Sequence, residues 1–300
     1  MRNEETNNIV LCLSLFFAIF CIILLGCLFV CRTEWKLILF GFIWQYVHSI
    51  ATNFVYWLER NLDDCQRKPL YDLGYELFPR LRGSSTSASE VLVNLMFAIV
   101  SIEFLSTLFL KLRPPHGRPM FLTIILRRVM ACLVVLQTLR IISFLITLLP
   151  GAATHCKPNS DEWDPPKTLS DILFRVDATT GCGDLMFSSH TIFTMTIVLV
   201  TFKYFSYPQL VILTIAMQTA IAPLIIAARK HYSLDVFTAL YVVPMWWVLY
   251  DFLSPDPLSL EKYGVEFFEN CVVIDGKEYP NPNRKPSDSS DMPIVNIDYN

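Results

Sequence analysis

The chain has 300 residues, 53% hydrophobic and 17% charged, with a mean hydropathy of +0.44. Its formal net charge of -3 excludes a nucleic-acid binder working through a basic face. The apolar residues gather in long uninterrupted runs, which excludes a soluble fold and, outside the C-terminal end, a disordered chain.

A helix needs about 20 mainly apolar residues to cross the hydrocarbon. Seven runs approach or reach that length: 9–31, 36–58, 91–110, 122–149, 186–205, 209–228 and 233–252. No alternating pattern of short segments marks a β-barrel. The predicted fold is therefore an all-α, polytopic membrane protein, with six helices in 36–253 and an extra N-terminal span in 1–35. The first run is read as retained, because Arg2 is offset by Glu4 and Glu5 and the run is too long for a signal-peptide core. Lys/Arg totals balance across the two faces, so orientation rests on one short acid-free loop with Lys111, Arg113, Arg118, Arg127 and Arg128. Placing it in the cytosol puts 59–90 and 150–185 on the exoplasmic side. The tail 254–300 is then cytosolic, and its prolines and its Ser287–Asp291 run predict a largely disordered segment. Within it, 273–277 reads as a plain linker, with a small hairpin as the lesser alternative. Cys65, Cys156 and Cys182 all fall in exoplasmic loops, and Cys156–Cys182 is the pair singled out for a disulfide.

Polar groups at membrane depth are expensive, so each is a functional candidate. Two clusters qualify: Cys182-Gly183-Asp184 through Ser188-Ser189-His190-Thr191, and His231-Tyr232-Ser233-Leu234-Asp235-Val236. Each opens a span on the same membrane face. On a helix, His231 and Asp235 would share one side, letting the carboxylate orient the imidazole. A lone histidine is usually a cap or a packing residue. Two imidazoles and a carboxylate, with Asp184 and Ser188 beside them, suit phosphoryl transfer through a phosphohistidine.

These residues resemble the two catalytic motifs of the sphingomyelin synthases, in the lipid phosphate phosphatase superfamily. Pro69-Leu70-Tyr71-Asp72 is similar to the family's Pro-Leu-Pro-Asp element. Arg127-Arg128, Arg140 and Thr147 sit at the spacing of its Arg-Arg-x8-Tyr-x2-Arg-x6-Thr element. Four motifs thus occur in order between Glu34 and Tyr250. The resemblance implies a six-helix core of the lipid phosphatase/phosphotransferase type. It also implies an exoplasmic or lumenal active site in the secretory pathway (endoplasmic reticulum, Golgi or plasma membrane). The implied reaction moves a phospho-head group from a glycerophospholipid, phosphatidylcholine or phosphatidylethanolamine, to the primary hydroxyl of ceramide. Its products are diacylglycerol and either sphingomyelin or ceramide phosphoethanolamine. The implied catalytic residues are His190, His231 and Asp235.

Substrate contacts are expected from Arg140, Asp184, Ser188, Glu90 and Lys230. Arg140 would clamp phosphate, the alternative being an ion pair with Glu103 or a contact to His48; Glu90 would assist the proton relay or mark a helix start. Gln137, Ser189, Leu240 and Asp251 depart from the family pattern. So does Lys230, which stands where the family usually carries an acid; its charge would repel choline or ethanolamine, making it a head-group filter. Neither metal nor cofactor is expected, and a homo-oligomer is compatible with the reading.

Two rival readings remain in view. A lipid phosphate phosphatase would carry Lys-x6-Arg-Pro, which Lys111 through Arg118-Pro119 matches, but the run 122–149 separates it from His190. Leu224-Ile225 and Phe187 also stand where that class has Ser-Arg and proline. A non-catalytic lipid sensor of the same fold is the other.

Overall fold

A computed structural model describes residues 35–63, 65–110, 121–158, 160–175, 182–205, 207–254 and three strands between 265 and 280. The run 9–31, the residues 111–118 of the basic loop and most of the tail lie outside the described residues. In chain order the helices are α1 (Trp35–Arg60), α2 (Leu73–Leu77), α3 (Ala88–Leu110), α4 (Phe121–Ile146), α5 (Leu169–Phe174), α6 (Ser189–Val200), α7 (Pro208–Ala227) and α8 (Ser233–Leu253). Among the described residues, five segments are long and apolar enough to cross a membrane: α1, the stretch carrying α3, α4, α7 and α8. Large apolar side chains such as Ile43, Ile102, Ile212 and Val248 point outward from them, as a surface bathed in lipid requires.

The predicted span 186–205 becomes α6 and a π turn at Thr201–Phe205, shorter than the other five. It sits inside the bundle, packed against α3, α4, α7 and α8. That position explains its polarity. Thr194 and Thr196 are buried and donate to the carbonyls of His190 and Ile192, at 2.8 and 2.7 Å. Met96, Ile125, Leu136, Ile221 and Ala239 close the core around its Ile192.

The run ends shift for local reasons. Helix α4 stops at Ile146 rather than 149, because Leu149 precedes Pro150 and proline disfavours helix in the residue before it. Helix α6 starts at Ser189 rather than 186, because Phe187 has φ 68° and Ser188 caps the helix by accepting the Thr191 N–H at 3.4 Å. At the far end of the bundle Asp251 joins Arg128 at 2.8 Å and Lys203 at 2.5 Å, tying α8 to α4 and the π turn.

The tail holds a three-stranded antiparallel sheet of β1 (Val265–Phe267), β2 (Cys271–Ile274) and β3 (Lys277–Pro280). Ile274 pairs with Lys277 across Asp275-Gly276, so the lesser alternative, a hairpin, replaces the linker read at 273–277. Asp-Gly is the dipeptide that two-residue hairpins favour.

Candidate active site

Both histidine motifs meet at one end of the bundle. His190 lies in the first turn of α6, and its ring is 5.8 Å from that of His231, at 70° between planes. His231 itself precedes α8. Helix α7 ends in a Schellman motif, with the N–H of Lys230 on the Ile225 carbonyl and that of Arg229 on Ile226. Arg229 takes the left-handed position, φ 62°, where glycine is usual. The chain therefore reverses in a few residues and delivers His231 at the mouth of α8.

The expectation that Asp235 holds the imidazole across a helical turn is modified. His231 Nδ1 lies 2.9 Å from the Leu185 carbonyl and 3.8 Å from Asp235 Oδ2. A carbonyl only accepts, so Nδ1 carries the proton and Nε2 of the neutral ring is left as base or nucleophile. Asp235 Oδ2 instead accepts the Tyr232 N–H at 2.9 Å. Its Oδ1 is buried without a hydrogen-bond partner, as is Nδ1 of His190. The carboxylate thus acts on His231 through its charge and through the shape of the turn.

Arg140 is fully buried. Its Nε donates to His48 Nε2 at 3.0 Å, one terminal nitrogen to the Phe187 carbonyl, and the other to the carbonyl and Oδ2 of Asp184 at 2.7 and 2.5 Å. The contact to His48 is the one weighed in the sequence, while Glu103 bonds Thr201 Oγ1 at 2.9 Å. Burial pushes the Asp184 carboxyl up, but the Arg140 guanidinium beside it outweighs burial and holds that carboxyl below the usual carboxylate range. Arg140 and Asp184 therefore engage each other and pin the loop that presents the Leu185 carbonyl. Ser188 is likewise buried and engaged, its Oγ accepting from Thr191 and its N–H donating to the Asp235 carbonyl at 3.2 Å.

Lys230 does not present a lone charge. Its Nζ donates to Glu90 Oε1 at 2.6 Å and to Ser89 Oγ at 3.3 Å, and both charged side chains keep some exposure. Cys156 and Cys182 are joined by a disulfide that fastens the 150–156 segment to the 182–188 loop. His155 lies close to both sulfurs, but cysteines joined to each other offer no thiolate to a metal.

Sequence reasoning missed Glu59, which is buried and accepts the Gly151 N–H at 3.1 Å beneath the disulfide. A carboxylate closing an apolar run was its one signal. Asp72, Tyr75 and Arg229 were also assigned no role, although the Pro69–Asp72 motif flagged the first.

A family profile described as PAP2 superfamily C-terminal matches residues 181–252, the stretch that carries both histidines. Over 217 residues the chain is 37% identical to a phosphatidylinositol:ceramide inositolphosphotransferase of Oryza sativa subsp. indica, covering 70% of this chain and 63% of that protein. It is 35% identical over 217 residues to phosphatidylinositol:ceramide inositolphosphotransferase 3 of Arabidopsis thaliana, covering 70% and 71%. Sphingomyelin synthase-related 2 of Caenorhabditis elegans is 26% identical over 195 residues, covering 60% and 54%. The chain thus spans a little under two thirds of the rice relative's length.

Proposed function

Because the chain belongs to the sphingomyelin synthase-like family of the lipid phosphatase superfamily, we propose that it transfers a phospho-head group from a glycerophospholipid to the primary hydroxyl of ceramide. The observation that carries this reading is the pair of imidazoles 5.8 Å apart, one of them with Nδ1 tied to a carbonyl and Nε2 left to react. His231 Nε2 attacks phosphorus and the bond to the diacylglycerol oxygen breaks. His190 gives that oxygen its proton, since an alkoxide leaves poorly. Ceramide then enters, its primary hydroxyl surrenders a proton to His190, and its oxygen displaces His231 from phosphorus. Asp235, 3.8 Å from the His231 ring, offsets the positive charge the ring carries as a phosphohistidine. The first turn of α6 offers backbone N–H groups to the phosphoryl oxygens.

The donor head group follows from Lys230. In the resembled family an acid at this position would leave carboxylate charge to meet a cationic amine. Here the lysine neutralises Glu90 at 2.6 Å. A salt-bridged pair offers hydrogen-bond donors and an acceptor without net charge, which suits the hydroxyls of inositol better than choline or ethanolamine. The names of the rice and Arabidopsis relatives agree with that choice. Choline or ethanolamine donors are the second reading, favoured by the resemblance to the sphingomyelin synthases. The site is assigned to the exoplasmic or lumenal face of a secretory membrane, where the Cys156–Cys182 bridge beside it persists.

The test is purified chain in vesicles with fluorescent ceramide and, separately, phosphatidylinositol, phosphatidylcholine or phosphatidylethanolamine. Inositol phosphorylceramide should form, and diacylglycerol should appear in a single turnover without ceramide. Diacylglycerol only with ceramide present would replace the phosphohistidine by direct transfer. Head-group phosphate released without acceptor would make the protein a phosphatase.

A further inference from the structure

The motif at Pro69–Asp72 has no part in the chemistry above, yet it hydrogen-bonds the residues that follow His231. Asp72 Oδ2 accepts the Ser233 N–H at 2.8 Å and Oδ1 accepts the Ser233 hydroxyl at 2.6 Å. The same Oδ1 accepts the Tyr75 N–H at 3.2 Å, capping α2. One carboxylate thus joins the starts of α2 and α8, where helix dipoles favour negative charge. Around it, the Leu70 N–H donates to the Tyr232 hydroxyl at 3.1 Å, which in turn donates to the Pro150 carbonyl at 2.8 Å. The Tyr75 hydroxyl donates to the His231 carbonyl at 3.2 Å. Arg229 lies 4.2 Å over the Tyr75 ring and donates to the Tyr75 carbonyl at 2.6 Å, and the Leu81 N–H reaches the Ala227 carbonyl at 3.0 Å.

This grip meets a need of the turn itself. The backbone from 228 to 232 is outside both helices, and Arg229 holds a left-handed conformation that L residues adopt at a cost. Among the described residues the His231 ring hydrogen-bonds only the Leu185 carbonyl. Gly74 allows the approach, because a Cβ there would fall 2.0 Å from Ser233 Oγ. Catalytic groups must be held to within about half an ångström, and the helix-end bonds of 229, 230 and 232 stay within α7 and α8, whereas Asp72 ties the turn to a separate element.

We propose that Asp72 is a positioning residue for head-group transfer, acting through Ser233 to hold the His231 backbone in its reactive place. The proposal rests on the assignment of His231 as nucleophile, and its test separates the two. Asp72→Ala, Asp72→Asn, Ser233→Ala and the double Asp72→Ala/Ser233→Ala are made in the full chain. A misplacement of about 1 Å costs on the order of a hundredfold in rate, so Asp72→Ala should lower kcat about 10- to 100-fold with donor KM within about twofold. The double variant should be no slower than Asp72→Ala, and Asp72→Asn, which keeps an acceptor, should recover most of the loss. Hydrogen exchange is read on the same proteins and needs no turnover: 230–236 should exchange faster in Asp72→Ala while α6 stays protected.

Unchanged exchange and unchanged kcat would overturn the proposal. So would a raised KM with kcat kept, the mark of substrate contact, or protection lost across all helices in both Asp72 variants, the mark of a general folding role. If the wild type transfers nothing while Asp72→Ala still loosens 230–236, the transfer reading falls and the bracing stands.

Discussion

Replacing Arg140 by methionine distinguishes a strut from a phosphate clamp. The side chain is fully buried, and all of its hydrogen bonds go to protein: His48, Phe187 and, twice, Asp184. Methionine keeps the apolar stem and removes the charge. The Asp184 carboxylate, 15% exposed, is then left without its partner at 2.5 Å, and two loop carbonyls lose their donors. Breaking one side of a buried pair costs about 3–5 kcal/mol. With about 2–4 °C per kcal/mol for a domain of this size, the thermal midpoint in detergent should fall by about 10 °C. Transfer measured well below that midpoint should also fall, because the 184–188 loop carries the carbonyl that orients His231. Adding Asp184→Asn should return a good part of the midpoint, since the uncompensated charge is gone. A wild-type midpoint with only a raised donor KM would refute the strut and make Arg140 a ligand of the substrate phosphate.

His190→Ala and His231→Ala should each reduce transfer at least about a thousandfold with expression intact, whereas Asp235→Asn should keep measurable activity because Leu185 still orients the ring; full turnover by either alanine variant would remove the histidines from the chemistry. Lys230→Glu should weaken the use of phosphatidylinositol and open the site to choline or ethanolamine donors, read from product ratios with mixed vesicles; an unchanged ratio would mean that residue 230 does not read the head group. The stability that Asp184 adds, measured as the midpoint difference between wild type and Asp184→Asn, should be constant above about pH 5. It should shrink as acid drops through its lowered value, because a carboxyl held low in the folded state stabilises only while ionised; a difference that vanishes already near pH 6 would contradict the lowered value.

Helical spans, and the ends of several of them, are properties of contiguous residues. The apolar runs announced α1, α3, α4, α7 and α8 because crossing hydrocarbon demands about 20 such residues in a row, whereas the hairpin at 273–277 was read first as a linker, because a two-residue turn signal is weak against the proline-rich tail around it. The two histidines were legible for a related reason: polar residues in such runs are costly enough to signal use. What no local pattern contained was who holds them. The carbonyl that fixes His231 comes from Leu185, 46 residues earlier, and only the packing of α6 against α8 brings it within 2.9 Å. The i,i+4 spacing suggested Asp235 for that task, but α8 begins at Ser233, so the helical geometry behind the inference does not extend to His231. Asp184 and Ser188 were read as substrate ligands from their place in a motif; their protein partners, Arg140 and the first turn of α6, come from the fold. Lys230 read as a free charge until α3 placed Glu90 at 2.6 Å. Sequence by itself determined which residues are costly at membrane depth; tertiary structure decided their partners, because a buried charge or imidazole is defined by the neighbours that satisfy it, and those neighbours come from other helices.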